Sequence, residues 1–313
     1  MNDRSEEVRR MALHLGFDAV GIARADEPLE VDYARYEEFI DAGYQATMDY
    51  LAAHASVRRV LSHPGILPGA RSVVCVLQRY AVRLPSASTG IVGHIAKYAR
   101  GLDYHNHMRR RLRKLADFIR KMESGATSRP LVDTAPVLER AWAARAGLGF
   151  IGKNGLLIRP GMGSFTVLGE VVTSVVLEPD EPMPSRCGEC VACLQACPTE
   201  AFVGPYVLDA RKCISYLTIE HRGPWQGEPK VAPWLFGCDV CQDVCPFNRG
   251  VGAWIDAGGP FDPRPQWHQL SLEQLACAAQ SEGQIWMQAS PMKRVRWEDW
   301  QRNVRGALGY DPP

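Results

Sequence analysis

The chain has 313 residues, long enough for more than one hydrophobic core. Its 36 lysines and arginines balance 35 aspartates and glutamates, so no global field recruits a polyanion and any nucleic-acid contact has to be local. No apolar run is long enough to span a bilayer, and the acidic start lacks the basic-then-apolar form of a signal peptide; a soluble cytoplasmic protein is expected.

In chain order, Val8, Met11, Ala12 and Leu15 fall on one face of a helix over residues 5–15, and Phe17 to Ile22 reads as a short strand. Helices are expected over 33–42 and 48–53, with Arg58 and Arg59 beyond the second. Residues 71–77 form a buried strand rich in β-branched residues, with Cys75 packed inside it. A Gly-, Pro- and Ser-rich loop over 83–93 precedes a strongly basic helix. Its Leu112, Leu115 and Ile119 make an apolar stripe, and its arginines read as a solvated face. His105 and His107 are two apart, the wrong spacing for one helical face, and read as ordinary polar positions.

A break over 124–130 leads to Leu131-Val-Asp133-Thr-Ala-Pro136. Asp133 stands at an expected strand end. There a partly buried carboxyl acts as a general acid, or the residue is only a cap or turn aspartate. Helix over 140–146 is followed by a glycine-rich turn, 147–155. Its G-x-G-x-x-G spacing is not a dinucleotide fingerprint, because it precedes a strand instead of opening a helix. Lys153 and Asn154 at its tip either bind a ligand's polar edge or face solvent. Strands are expected over 156–159 and 165–177. The elements interleave without regular alternation, which favours an α+β domain over residues 1–180.

After a proline-rich linker comes Cys187-x2-Cys190-x2-Cys193-x3-Cys197-Pro, a spacing in which three thiolates hold one iron–sulfur cluster and the fourth reaches another. A second run, Cys238-x2-Cys241-x3-Cys245-Pro, has Leu235 where a fourth cysteine would stand, and Cys213 completes it. Crossed ligation then assigns Cys187, Cys190, Cys193 and Cys245 to one 4Fe–4S cluster, and Cys197, Cys213, Cys238 and Cys241 to the other. Two zinc sites are the bland alternative, although four cysteines in eleven positions crowd more closely than in a zinc ribbon. Residues 181–250 are thus a ferredoxin-like two-cluster domain, a wire for single electrons. Residues 251–313 form a helical C-terminal segment with helices over 272–279, where Cys277 is expected to pack, and 297–308. Lys293, Arg294 and Arg296 precede the last helix, as a phosphate contact or a solvated helix start.

Six segments in this order carry a resemblance over nearly the whole chain. They are Tyr98-Ala-Arg-Gly-Leu-Asp-Tyr-His105, Asp133-Thr-Ala-Pro-Val-Leu-Glu139, Ala146-Gly-Leu-Gly-Phe-Ile-Gly-Lys-Asn154, Gly163-Ser-Phe-Thr-Val-Leu-Gly-Glu170, Cys213-Ile-Ser-Tyr-Leu-Thr-Ile-Glu220 and Gly237-Cys-Asp-Val-Cys-Gln-Asp-Val-Cys-Pro-Phe-Asn-Arg249. Together they resemble the epoxyqueuosine reductases. The resemblance implies a cobalamin enzyme with two 4Fe–4S clusters that reduces epoxyqueuosine to queuosine at the wobble position of tRNA. Asp133 is then the proton donor, and Arg58, Lys97, Asp133, Lys153, Asn154 and Ser215 are cobalamin contacts. It implies a corrin held without a histidine ligand, and the D-x-H-x-x-G pattern of histidine-ligated cobalamin is absent. Lys293, Arg294 and Arg296 would contact the tRNA, an external electron donor is required, and a monomer is expected. A reductive dehalogenase acting on a small molecule and a ferredoxin-type electron carrier are the rival readings.

Overall fold

The computed structural model describes residues 3–84, 90–227 and 229–309. Its strands are β1 (Ala19–Arg24), β2 (Ser72–Arg79), β3 (Ser128–Leu131), β4 (Phe150–Ile151), β5 (Leu157–Ile158), β6 (Thr166–Thr173), β7 (Phe202–Gly204) and β8 (Val207–Leu208). Four of them form an antiparallel sheet in the order β1-β2-β6-β3. The other four make two small hairpins, β4-β5 and β7-β8.

Alternation along β2 builds two cores. Val74 and Val76 face one way, and Val73, Cys75 and Leu77 the other. Both faces are covered, so the strand reads as an unbroken apolar run. Helices Asp3–His14 and Tyr104–Arg120 cover the first face, the second through Met108, Leu112, Leu115 and Ile119. Asp103 caps that helix by accepting the His105 backbone N–H at 3.1 Å. The other face is covered by Val57, Leu61 and Ile66 and by Trp142 and Ala143 of helix Glu139–Arg145.

A third core joins distant parts of the chain. Ile91, Val92, Ile95 and Ala99 pack with Leu235, Phe236, Trp267, Met292, Trp300 and Val304. The C-terminal helices therefore share their interior with the segment that leads into helix Tyr104–Arg120. Backbone bridges Val82↔Ile255 and Ile95↔Phe236 fasten the same junction.

The expected elements over 5–15, 17–22, 33–42, 48–53, 71–77, 140–146, 156–159 and 297–308 appear within a few residues of those bounds. Of the 83–93 loop, residues 85–89 lie outside the described residues, and Gly90–His94 is a 3-10 turn. The break expected over 124–130 instead contains β3. Pro130 is tolerated there because β3 is an edge strand with one side free of ladder bonds. The strand expected to reach residue 177 ends at Thr173. Helices Ile214–Ile219 and Gln280–Met287 add to the expected elements. Cys75 is buried, as expected, but Cys277 is exposed. Leu275 points helix Leu272–Cys277 inward, and two residues on, about 200° around the axis, a side chain faces out.

Candidate active site and thiol centre

Asp133 stands two residues beyond β3, on a left-handed turn with φ +52°. Its carboxyl is about half exposed (46%) and its Oδ2 lies 3.0 Å from His105 Nε2. His105 Nδ1 lies 2.7 Å from Asp103 Oδ1, and Asp103 Oδ2 meets Lys293 Nζ at 2.6 Å. The result is a line of alternating charge, Lys293–Asp103–His105–Asp133. Burial works against the His105 charge, but its bonds to the Asp103 and Asp133 carboxylates outweigh burial and hold its pKa up at about 9. The His105 hydrogen bond, then Lys293, keep the Asp103 carboxyl far below the usual carboxylate range against the opposing effect of burial. His105 is therefore no ordinary polar position. Its role depends on two carboxylates from different elements, which helical spacing does not reveal.

Behind the turn, the Asp133 backbone N–H donates to Glu139 Oε1 at 2.5 Å. Burial, then the Asp133 charge, raises the Glu139 carboxyl to about 7. Glu170 of β6 is fully buried; neither carboxyl oxygen has a partner at full hydrogen-bond geometry, and the side chain that approaches it is that of Glu139. Burial, then the charges of Glu139 and Asp133, push its pKa well up. Neither glutamate stands out in the sequence, where each is only part of a motif. The signal available is Glu170 itself, an acid inside an apolar strand.

In front of the turn, Tyr50 and Tyr98 both lie within electrostatic reach of Asp133, Glu220 and Arg294. Tyr98 also senses Asp239, inside the second cysteine run. Asp239 is buried, with Oδ1 unpartnered and Oδ2 accepting the Lys97 N–H at 2.8 Å. This aromatic and charged surface connects the Asp133 turn to the thiols.

All ten cysteines are free. Cys193 senses Cys245 and Cys187, and Cys245 senses Cys187 and Cys190. Cys213 senses Cys197, Cys238 senses both, and Cys241 senses Cys238 and Cys213. The eight thiols thus gather in two groups of four, and Cys241 with Cys193 links the groups. Short helices Ala192–Gln195 and Val240–Asp243 pack side by side to bring this about. Among the described residues no three His, Cys, Asp or Glu side chains converge closely enough for a single metal ion. The Ala201 N–H reaches Cys197 Sγ at 3.3 Å, the kind of bond that tunes a cluster.

A buried polar network docks the second cysteine run on the sheet. The Ser164 N–H donates to Asn248 Oδ1 at 2.7 Å, and Gln242 Oε1 accepts from Ser164 Oγ at 3.0 Å. The Gln242 amide donates to the Tyr80 hydroxyl at 3.2 Å. Gly163 has φ +72°, and a Cβ there would collide with Asn248 Oδ1, so only glycine fits.

The remaining expected site residues divide. Lys153 Nζ donates to Gly188 O at 2.7 Å, Asn154 Nδ2 reaches Cys241 O at 3.5 Å, and Ser215 bonds the Cys213 thiol. These three sit against the cysteine runs. Lys97 is held by Asp239 and Asp243, over the rings of Phe165 and Trp254. Arg58 is buried and donates to the carbonyls of Leu51 and Tyr50. Lys293 pairs with Asp103 and Arg294 with Glu220, at 2.6 Å each. Arg296 has no partner among the described residues and lines a cleft of about 310 Å³ with Lys293, Gln284 and Trp297. A second cleft, of about 320 Å³, joins Arg109, Arg113 and Arg129 to Thr134 and Pro136 of the Asp133 loop.

Residues 62–134 match the family model described as "Epoxyqueuosine reductase QueG, DUF1730", and residues 186–248 match a "4Fe-4S double cluster binding domain". The epoxyqueuosine reductase of Gloeobacter violaceus is 40% identical over 314 residues, covering 99% of this chain and 97% of that protein. That of Escherichia coli is 36% identical over 318 residues, covering 100% and 82%. A solved epoxyqueuosine reductase with an epoxyqueuosine-modified tRNA-Tyr stem loop is 31% identical, with TM-score 0.88 over 97% of this chain and 80% of that one. The Bacillus subtilis enzyme, solved with an aspartate-bearing catalytic loop swung out of its active site, is 30% identical with TM-score 0.87, over 97% and 81%. Identity at this level over nearly the full length shows that this chain belongs to the epoxyqueuosine reductases, iron–sulfur oxidoreductases that act on tRNA.

Proposed function

We propose that this chain removes the epoxide oxygen of epoxyqueuosine, at the wobble position of tRNA, as water, with the Asp133 carboxyl as proton donor. The observation that carries this reading is the Asp133 turn: a solvent-facing carboxyl on left-handed backbone, bonded through Oδ2 to a charged imidazole. The B. subtilis enzyme, whose catalytic loop carries an aspartate, and the tRNA stem-loop complex support it over the dehalogenase and electron-carrier readings.

Breaking a carbon–oxygen bond leaves an alkoxide, a poor leaving group until it is protonated. His105 keeps a proton on Nε2 facing Asp133 Oδ2, and Asp103 with Lys293 fixes the ring from behind. Both His105 nitrogens are engaged, so no imidazole beside Asp133 is left to ligate cobalt. This fits a corrin held without histidine. Cobalamin, when bound, would supply the low-potential centre for breaking that bond, and two 4Fe–4S clusters would supply its electrons singly. Cys187, Cys190, Cys193 and Cys245 would hold one cluster, and Cys197, Cys213, Cys238 and Cys241 the other. Lys153, Asn154 and Ser215, beside those thiols, would meet the corrin's polar edge. Arg58 and Lys97 act one step back, because their donors are already engaged. Arg296, with Lys293 and Arg294 at their ion pairs, would position tRNA phosphates while the modified base enters unstacked. The setting is the cytoplasm, with a one-electron reductant outside this chain and the protein working as a monomer.

Anaerobically reconstituted protein is assayed on a stem loop carrying epoxyqueuosine, reading the mass loss of one oxygen. Asp133→Asn is expected to keep iron and corrinoid while turnover falls about 10²–10⁴-fold. Turnover at the wild-type rate in that variant would remove Asp133 from the mechanism.

A further inference from the structure

We propose that the carboxyl pair Glu139–Glu170, behind the Asp133 turn, is an internal proton store that reloads Asp133 within a turnover. This rests on the reading of Asp133 as the acid. Converting an epoxide to an alkene and water breaks two carbon–oxygen bonds, forms one carbon–carbon π bond, and consumes two electrons and two protons. The two electrons are those of the external reductant that the proposed reaction requires. One carboxyl delivers one proton at a time, so the second has to reach Asp133 while substrate is bound, from a neighbouring group or, where proton concentration allows, from solvent.

The geometry supplies the source. Glu170 is paired in register with Leu131, two residues before Asp133. Glu139 holds the backbone of Asp133 itself, through Oε1. Among the described residues, the charged and titratable groups acting on Glu170 are Glu139, Asp133 and the buried Cys75 thiol across the strand pair, with no cation among them. Arg140 and His105 reach only Glu139. An ionised carboxylate with both oxygens buried and unpartnered is costly, so the group that sits there carries a proton at neutral pH. Burial and like charge act in that direction on both glutamates. His105 is a poorer second donor, because losing its proton would leave Asp103 and Asp133 facing a neutral ring and dismantle the ion line.

Asp133, ionised beside His105 in the free protein, takes up the first proton from solvent as substrate binds and passes it to the opened epoxide oxygen. The second passes from Glu170 through Glu139 to the Asp133 carboxylate and on to the departing hydroxide, completing water. One proton from solvent restores the pair once product leaves, and Asp133 returns to its ion pair with His105.

Two measurements test this on the anaerobic holoenzyme. Infrared spectroscopy at neutral pH, without substrate, is expected to show a protonated buried carboxyl whose band is lost in Glu170→Gln and kept in Asp133→Asn. Single-turnover rates on the stem loop are expected to match wild type at mildly acidic pH in Glu139→Gln and Glu170→Gln, and to fall at least about tenfold at alkaline pH. Glu139 lies at a helix start, so Glu139→Gln carries the kinetic test if the core substitution Glu170→Gln does not fold. Loss of no band in Glu170→Gln, or a wild-type pH profile in Glu139→Gln, would overturn the store while leaving Asp133 as the acid. Turnover surviving in Asp133→Asn overturns the acid assignment, and the reloading role with it, whatever the glutamate variants do.

Discussion

Asp133 holds a left-handed conformation that costs a non-glycine residue about 1–2 kcal/mol. The Glu139 bond to its N–H and the His105 bond to its carboxyl offset that cost and hold the side chain in place. His105 gives this arrangement a pH signature. Its pKa of about 9 in the folded protein stands above the ~6.5 of a free imidazole. The folded state therefore binds this proton more tightly than the unfolded chain. The stabilisation is complete below about pH 6.5 and is lost as pH rises through about 9. Asp103 acts in the opposite sense: its depressed pKa contributes stability above the ordinary carboxylate range, lost as pH falls towards its folded value. An NMR titration of the His105 ring is expected to show the raised midpoint, and Asp103→Asn is expected to lower it. A free-imidazole midpoint in the intact protein would exclude the ion line.

At the scale of elements, a buried hydrogen-bond network docks the second cysteine run on the sheet. Gly163→Ala adds left-handed strain and drives a methyl into Asn248 Oδ1, breaking its bond with the Ser164 N–H. A loss of about 2–4 kcal/mol is expected, with reduced iron at the thiols of Cys238 and Cys241. Gly125→Ala is the control: it is left-handed too, but nothing lies within 4 Å of the place its added methyl would take, so about 1–2 kcal/mol is expected and full iron content. Denaturant unfolding and iron assay, both without oxygen, separate the two. Equal iron in both variants would show that the docking network does not govern the clusters. The strand β3 illustrates why such relations escape a reading of the chain. Ser128–Leu131 has no strand pattern of its own, and only pairing with β6 makes it one, which then sets the position of Asp133.

Across the whole molecule, the C-terminal helices support the front of the site. Trp300 and Val304 share a core with Ile91, Ile95 and Ala99, and the same stretch carries Lys97 and Tyr98 towards the thiols and Asp133. Trp300→Ala is expected to cost about 3–5 kcal/mol. Hydrogen exchange should then rise together over residues 91–99 and 297–308; a rise confined to the last helix would refute the shared core. Cys213→Ala is expected to leave about half the iron, because one of two four-thiol groups keeps its full set. Loss of all iron would mean that the groups are not independent. Among the described residues no helix is long and apolar enough to cross a membrane.

Spacing along the chain marked the two cysteine runs, because their thiols recur at short local intervals that a sequence displays directly, and Cys213 was added to them by count. Alternation and helical stripes likewise determined most elements of the sheet and its first covering layer, since they record which side each residue buries. Tertiary structure alone decided the surroundings of Asp133. His105, Asp103, Lys293, Glu139 and Glu170 come from separate places in the chain or its motifs, and their charges acquire meaning only through contact and burial. It also decided that Arg58 and Lys97 are fastened within the protein, because a cation's partner is a matter of distance in space. Patterns of period two or three and a half report burial; a carboxyl group's protonation depends on neighbours that no such period encodes.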